Sequence, residues 1–283
     1  MKPIKGIKAF EEGLKCKDFQ FEVNKEFIHD GKPVICESGF HFCENPLDVL
    51  NYYNLCDSEF AEVESLGDVD RNNGDSKVCT NRIKIGAKID LKTFIKASFD
   101  FLWEKCSIDK KDSSQLASSG DYSQLASSGD YSKLASSGDS SKLASSGYSS
   151  QLASSGNSSQ LASSGDYSKL ASSGDYSQLA SSGYSSKLAS SGDSSKLASS
   201  GYSSQLASSG YSSQLEINGK NSVGANIGYN GKIKGVIGSW ITLAEYNDKG
   251  ECVCVKSAKI DGKKLKENIW YILKNNKFIE SKN

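Results

Sequence analysis

The sequence predicts a mainly β protein: a nonapeptide-repeat β-solenoid of about 18 residues per coil, between an α+β N-terminal domain and a β-rich C-terminal cap. Three observations predict it. Leu recurs every nine residues from Leu116 to Leu215 with no insertion. Gly recurs with the same period from Gly120 to Gly210. All eight cysteines and all three tryptophans lie outside that array. The expected domains are 1–112, 113–237 (degenerate after 215) and 238–283.

In the N-terminal domain, "FQFEVNKEFIH" reads as a strand-pair region and is followed by "PVICESGFHFC". "ENPLDVLNYYN" opens a helix, with Asn45 as N-cap and Pro46 at the first helical position. "EFAEVESLG" and "NRIKIGAKID" alternate like strands. Residues 91–106 carry a broad apolar helical face and directly precede the repeats. That helix is expected to cap the open first coil, whose strand edges would otherwise be bare.

The repeat itself rejects a helix. Nine residues turn an α-helix by about 900°, so successive leucines would face opposite sides. As a strand, "YSQLAS" places Ser123 and Leu125 on one face and Gln124 and Ala126 on the other. Only the leucine side can build a core, so the Ser123-type and Leu125-type positions point inward. Gly129 with Asp130 is read as the corner, Gly supplying positive φ and Asp bonding its own backbone. Two units close one coil, and at ~4.8 Å per coil roughly six coils give a rod of ~30 Å. One leucine per nine residues is a thin core, so inward serines must bond neighbouring backbone. The competing reading is a flexible Ser/Gly linker. A linker has no reason to keep twelve leucines in phase. After Leu215 the repeat decays but Gly219 and Gly228 keep the period. "SWITLAEYNDKGECVCVKSAKIDGKKL" then reads as strand, turn, strand, and "NIWYILKNNKFIE" as a hairpin around Asn275-Asn276.

If coils hold 18 residues, alternate units lie on opposite sides. The units after Gly129, Gly147, Gly165, Gly183 and Gly201 each carry one tyrosine: Tyr131, Tyr148, Tyr167, Tyr184 and Tyr202. One corner is expected to show an aromatic ladder. The other has tyrosine only at 122, 176 and 211 and should show mostly Asp and Ser. Drift among tolerated turn residues is the plain explanation of the pattern. Exposed tyrosine clusters favour interfaces, which makes the five candidate binding residues.

Composition excludes several classes. Net charge is zero, with 17 basic and 21 acidic residues in 1–112 and 12 basic and 7 acidic in 216–283. Neither flank is basic enough for a nucleic-acid footprint. The array carries 5 Lys and 6 Asp, far too little negative charge to mimic DNA at one charge per ~1.7 Å. Calcium-binding nonapeptides need a Gly-Gly-x-Gly-x-Asp pattern that is missing here, and the array lacks the threonines of an ice-binding face. No signal peptide or membrane span is visible, so a bacterial cytoplasm with reduced thiols is expected.

For chemistry, Cys36, His41 and Cys43 lie close in sequence, with His29 upstream. Structural zinc wants four ligands in paired spacings, so no metal is expected, and buried thiols with one hydrogen-bonded histidine is the preferred reading. Cys36 or Cys43 with His41 is the one nucleophile–base candidate. There is no nucleophile elbow, Walker A or dinucleotide fingerprint, and no cofactor is expected.

"CESGFHFCENPLDVLNYY", the "LASSGDYSQ" repeats, "GSWITLAEYNDKGECVCVKSAKIDG" and "WYILKNNKFIE", in this order, resemble an uncharacterised family found in phages, prophages and gut Firmicutes. The resemblance spans essentially the whole chain and implies a mobile-element context and the three-part layout. "GFHFCENPLDVLNYY" also resembles a segment of some ADP-ribosyltransferase-like domains, without their Arg, Ser-x-Ser and Glu set. The leading expectation is a non-enzymatic interaction protein. Its solenoid would present a repetitive surface to a protein partner of host or phage, a host defence protein among them, or to a second copy as a homo-oligomer. The alternatives are a small-molecule-binding sponge and an enzyme in the N-terminal domain with the solenoid as spacer.

Overall fold

The computed structural model describes residues 3–71, 75–105 and 114–281, without the side chains of Trp103 and Lys105. They fall into two compact units, Met1–Phe101 and Leu102–Asn283.

In the first unit an antiparallel sheet runs in the order Glu26–Ile28, Arg82–Ile89, Glu59–Ser65, Lys5–Phe10, Phe40–Cys43, Lys77–Thr80, Val69–Arg71. Its central strand, Lys5–Phe10, is buried on both faces from Ile7 onward. On one face Phe10, Phe21, Phe42, Val63 and Ile83 form a core. On the other, Phe60 meets Phe94 of helix α1, Leu91–Lys105, at 4.4 Å between ring centroids. Asp90 caps that helix, its Oδ1 accepting from the Thr93 amide at 2.8 Å. Residues 106–113 lie outside the described residues, and with them the expected link from helix to first coil. The expected helix at "PLDVLN" is a 3-10 helix, Pro46–Asn51, capped by Asn45 Oδ1 accepting from Leu47 N. Buried Asp48 accepts from the Ser76 amide at 3.0 Å, which pins the segment to a neighbouring turn. Six residues fixed at both ends leave room for i→i+3 bonds rather than a longer α-helix.

The second unit is the solenoid. Each nonapeptide contributes a four-residue strand, and each strand pairs in parallel with the one 18 residues on, as in Lys169↔Lys187 and Leu170↔Leu188. Odd and even units build two parallel sheets. Leu134, Leu143, Leu152, Leu161, Leu170 and Leu179 lie between them at 0–1% exposure. The serines before and after each leucine also point inward. In a repeated circuit, Ser127 Oγ donates to Ser132 Oγ at 2.8 Å and Ser132 Oγ to the Gly129 carbonyl at 2.6 Å. These bonds offset the cost of placing hydroxyls in the core.

The corners differ from the sequence reading. The array glycines do not take positive φ. The left-handed residue is the one two places after Gly, for example Tyr131 (φ 56), Ser149 (φ 53) and Tyr167 (φ 56). Its N–H reaches the next coil, as Tyr131 N donates to Tyr148 O at 2.7 Å. Glycine is required because coils touch there: a Cβ on Gly165 would overlap the carbonyl oxygen of Gly147. Asp likewise serves the next coil, Asp121 Oδ1 accepting from Asp139 N at 2.8 Å and Asp139 Oδ1 from Asn157 N at 2.7 Å. A left-handed Ser or Tyr costs roughly 1 kcal/mol that Asn largely escapes. Asn221 (φ 55) and Asn230 (φ 56) already occupy the equivalent positions in the later units. Ser149→Asn is therefore expected to raise stability by about 0.5 kcal/mol, read as a higher urea midpoint at unchanged slope.

Coiling continues through the worn repeats to about seven coils in all, a stack of ~34 Å. Side chains exchange volume there. Gly224 replaces the inward leucine, and Ile217 and Ile233 fill the space. Gly231 makes room for Asn226, whose Nδ2 donates to Ser213 O at 2.7 Å. These unlike coils give an otherwise repetitive stack a fixed register. The cap then ends both sheets by turning them antiparallel. Cys252–Lys259 closes one sheet against Trp240–Tyr246, and Tyr271–Lys274 with Lys277–Glu280 closes the other. Asn275 and Asn276, both left-handed, make that last turn. Ile241, Leu243, Ile260 and Tyr271 continue the leucine core, so solenoid and cap share one interior.

Candidate functional site

The solenoid carries the first candidate site. Tyr131, Tyr148, Tyr167, Tyr184 and Tyr202 stack along one corner, with successive ring centroids 5.8, 5.3, 5.6 and 5.8 Å apart. Each ring stays 42–58% exposed. Tyr131 and Tyr167 sit at the left-handed position, while Tyr148, Tyr184 and Tyr202 sit one residue earlier. Parallel pairing brings the two settings into one column, one ring per coil. The opposite corner holds Asp121, Asp139, Asn157, Asp175 and Asp193, each accepting from the backbone of the next coil. It ends in a second aromatic stack that the sequence reading missed. Tyr211 and Tyr229 are 5.4 Å apart and Tyr229 and Tyr246 5.5 Å. The period of 18 could have found Tyr229, because it continues the Gly210–Gly228 series. The outer face of the first sheet bears a groove of about 1130 Å³ lined by the alanines and serines of successive rungs, from Ala117 to Ala225.

The second candidate site is a cavity of about 580 Å³ in the N-terminal domain. It gathers both histidines, Cys16, Cys36 and Cys43, Lys8, Lys17 and Lys77, and the rings of Phe19, Phe21, Phe40, Tyr52 and Tyr53. Lys8 enters it because it shares a strand face with Phe10 in the doubly covered central strand. Its Nζ donates to the His41 carbonyl at 3.0 Å and lies 5.3 and 5.4 Å from the Phe10 and Phe21 ring centroids. Burial pushes its pKa down. Lys77 Nζ donates to Cys36 Sγ at 3.2 Å and sits 4.1 Å from the Tyr52 ring centroid. Tyr53 Oη and Cys16 Sγ are 3.1 Å apart. Burial raises the Tyr53 phenol pKa, and burial followed by the hydrogen bond to Asp75 raises that of Tyr52.

The candidate Cys–His dyad is not formed. His41 Nε2 accepts from the backbone N–H of Cys36 at 3.0 Å, so the lone pair a general base would use is occupied. Burial, with Lys77 and Lys8 nearby, lowers the His41 pKa to about 4, which keeps the ring neutral. Cys36 is exposed at a left-handed turn (φ 65), and Cys43 is buried in the sheet. None of the seven described cysteines is in a disulfide. Among the described residues no cluster suited to a metal ion occurs, and no helix is long and apolar enough to cross a membrane.

Fold and sites together define a β-solenoid protein that carries a separate cavity-bearing domain at its N-terminal end. A family model described as Domain of unknown function (DUF7666) matches residues 4–97. The chain thus has an N-terminal domain of that family followed by the β-solenoid. The match ends before the first repeat, and it shows no phage or prophage origin. No curated protein and no solved structure matches the chain.

Proposed function

We propose that the chain is a protein-binding protein whose tyrosine column is the contact edge. One observation carries the reading: five exposed rings at 5.3–5.8 Å spacing, held by a parallel-paired scaffold. Tyrosine offers a large amphipathic contact with little side-chain entropy to lose. Rings already packed on one another lose less still on binding. The column recurs once per coil, so it suits an elongated partner surface. The resemblance to phage and prophage proteins makes bacterial host proteins, defence proteins included, the first pool to search.

The test uses turns the array already contains. Ser140 and Ser158 stand where Tyr131 and Tyr167 do, and Asn157 stands where Tyr148 does. The combined variant Tyr131→Ser, Tyr148→Asn, Tyr167→Ser, Tyr184→Asn, Tyr202→Asn is expected to keep the fold and melting behaviour. A partner held by the wild-type protein in pull-downs from host lysate is expected to lose at least 100-fold in affinity for it. Equal capture by the variant contradicts the reading. Light scattering on both proteins separates a foreign partner from a second copy, since self-association through the column would disappear in the variant.

A further inference from the structure

We propose that the N-terminal cavity binds a small aromatic anion, its charge paired with Lys8 and Lys77 and its ring packed into the cluster of Phe19, Phe21 and Phe40. The proposal stands apart from the tyrosine column and does not rest on it. Lys8 is 5% exposed, yet among the described residues no carboxylate pairs with it, with Lys17 or with Lys77. The same domain does supply carboxylates to exposed cations: Arg82 pairs with Glu26 at 2.7 Å, Lys88 with Glu59 at 2.7 Å and Arg71 with Glu44 at 2.5 Å. Its buried ammonium is left with a main-chain carbonyl, a thiol and two ring faces. Burial takes this ammonium out of water, and ring contacts return only part of that cost. After burial itself, the charge of Lys77 also lowers the Lys8 pKa, and Lys77 and Lys8 both lower that of His41. Three lysines and one carboxylate, that of exposed Glu37, thus line one cavity. A counter-charge is what the site lacks.

The aromatic body follows from the wall, whose three rings meet tilted or edge to face at 56–75°. Phe19 and Phe21 are 4.7 Å apart, Phe19 and Phe40 5.8 Å, and Phe21 and Phe40 5.7 Å. His29 lies 6.2 Å from Phe40. Such an edge-to-face ring cluster beside two ammonium groups suits a further aromatic ring with a carboxylate or phosphate at one end.

The chain contains two histidines, and both line this cavity. Their imidazole signals in NMR therefore report on this site and not on the solenoid. The full chain would be titrated with sodium benzoate, phenyl phosphate and neutral benzyl alcohol. Either anion, or both, should shift the His41 signal saturably, and comparing the two shows which head group is preferred. Benzyl alcohol should bind at least tenfold more weakly. Lys8→Met and Lys77→Met should each weaken the preferred anion at least tenfold. If Lys8→Met fails to fold, half-buried Lys77→Met carries the test alone. Histidine signals that stay fixed up to 10 mM of both anions, benzyl alcohol binding as tightly, or unchanged affinity in Lys77→Met would each overturn the proposal.

Discussion

Gly165→Ala is expected to destabilise the solenoid by about 3 kcal/mol, at the upper end for one added methyl in a packed site. The Cβ would overlap the Gly147 carbonyl oxygen and come within 3.1 Å of that of Ser146. Both are backbone atoms, and the Gly147 carbonyl already accepts from Ser150 Oγ at 3.0 Å, so neither can swing aside. Separating the coils would break ladder bonds such as Lys169 N to Ser150 O at 2.9 Å. Gly120→Ala is the control. That glycine occupies the same repeat position on the first coil, where the nearest atom to a Cβ is Ser123 Oγ at 3.6 Å. Its cost should stay within about 1 kcal/mol, the scale of an Ala-for-Gly exchange at a compatible backbone. Urea unfolding of both variants decides the matter. Comparable losses would mean that glycine is needed for its backbone angle and not for the approach of coils.

Leu179→Ala is expected to cost about 3 kcal/mol, within the usual range for a buried leucine. Each unit contributes one leucine to the interior; of the flanking serines, Ser177 donates to the Gly174 carbonyl at 2.9 Å and buried Ser181 carries only a short side chain. Nothing nearby is long or free enough to fill the hole. Leu116→Ala on the first coil, where the leucine is only half buried, should cost about 1 kcal/mol. Equal effects along the array would contradict a core that runs between the sheets.

The strict period made the solenoid legible, because a nine-residue repeat with one apolar position is compatible with few structures. Inward Leu125-type and Ser123-type positions followed from strand alternation. The corner did not follow. A recurring Gly says that a side chain is unwelcome but not whether the backbone angle or the coil beneath forbids it. Here the latter holds, and the left-handed turn falls on Ser and Tyr, whose identity gives no hint of it. The tyrosine column was legible once units were counted in twos, even though its members shift by one position. Tyr229 and Tyr246 escaped because they lie where the repeat has worn away.

The N-terminal cavity was hardly legible. Lys8 in "KGIKAF" looks like an outward residue of an amphipathic strand. It is buried because strands from residues 40–43, 59–65 and 77–80 and the Phe21 segment close around it, all distant in sequence. His41 and Cys36 are near neighbours in sequence. Sequence spacing could not show that a backbone N–H, rather than a thiol, takes the histidine lone pair.

The central claim is that residues 18 apart stack and residues nine apart do not, and cysteine pairing measures this directly. Lys169 and Lys187 are register partners on adjacent strands, whereas Gln178 belongs to the other sheet. Neighbouring strands lie ~4.8 Å apart, inside the Cα range a disulfide spans. Under mild oxidation, with bonds mapped by mass spectrometry, Lys169→Cys should join Lys187→Cys readily, and Lys169→Cys should not join Gln178→Cys. Efficient pairing of 169 with 178, or none between 169 and 187, would contradict the coil.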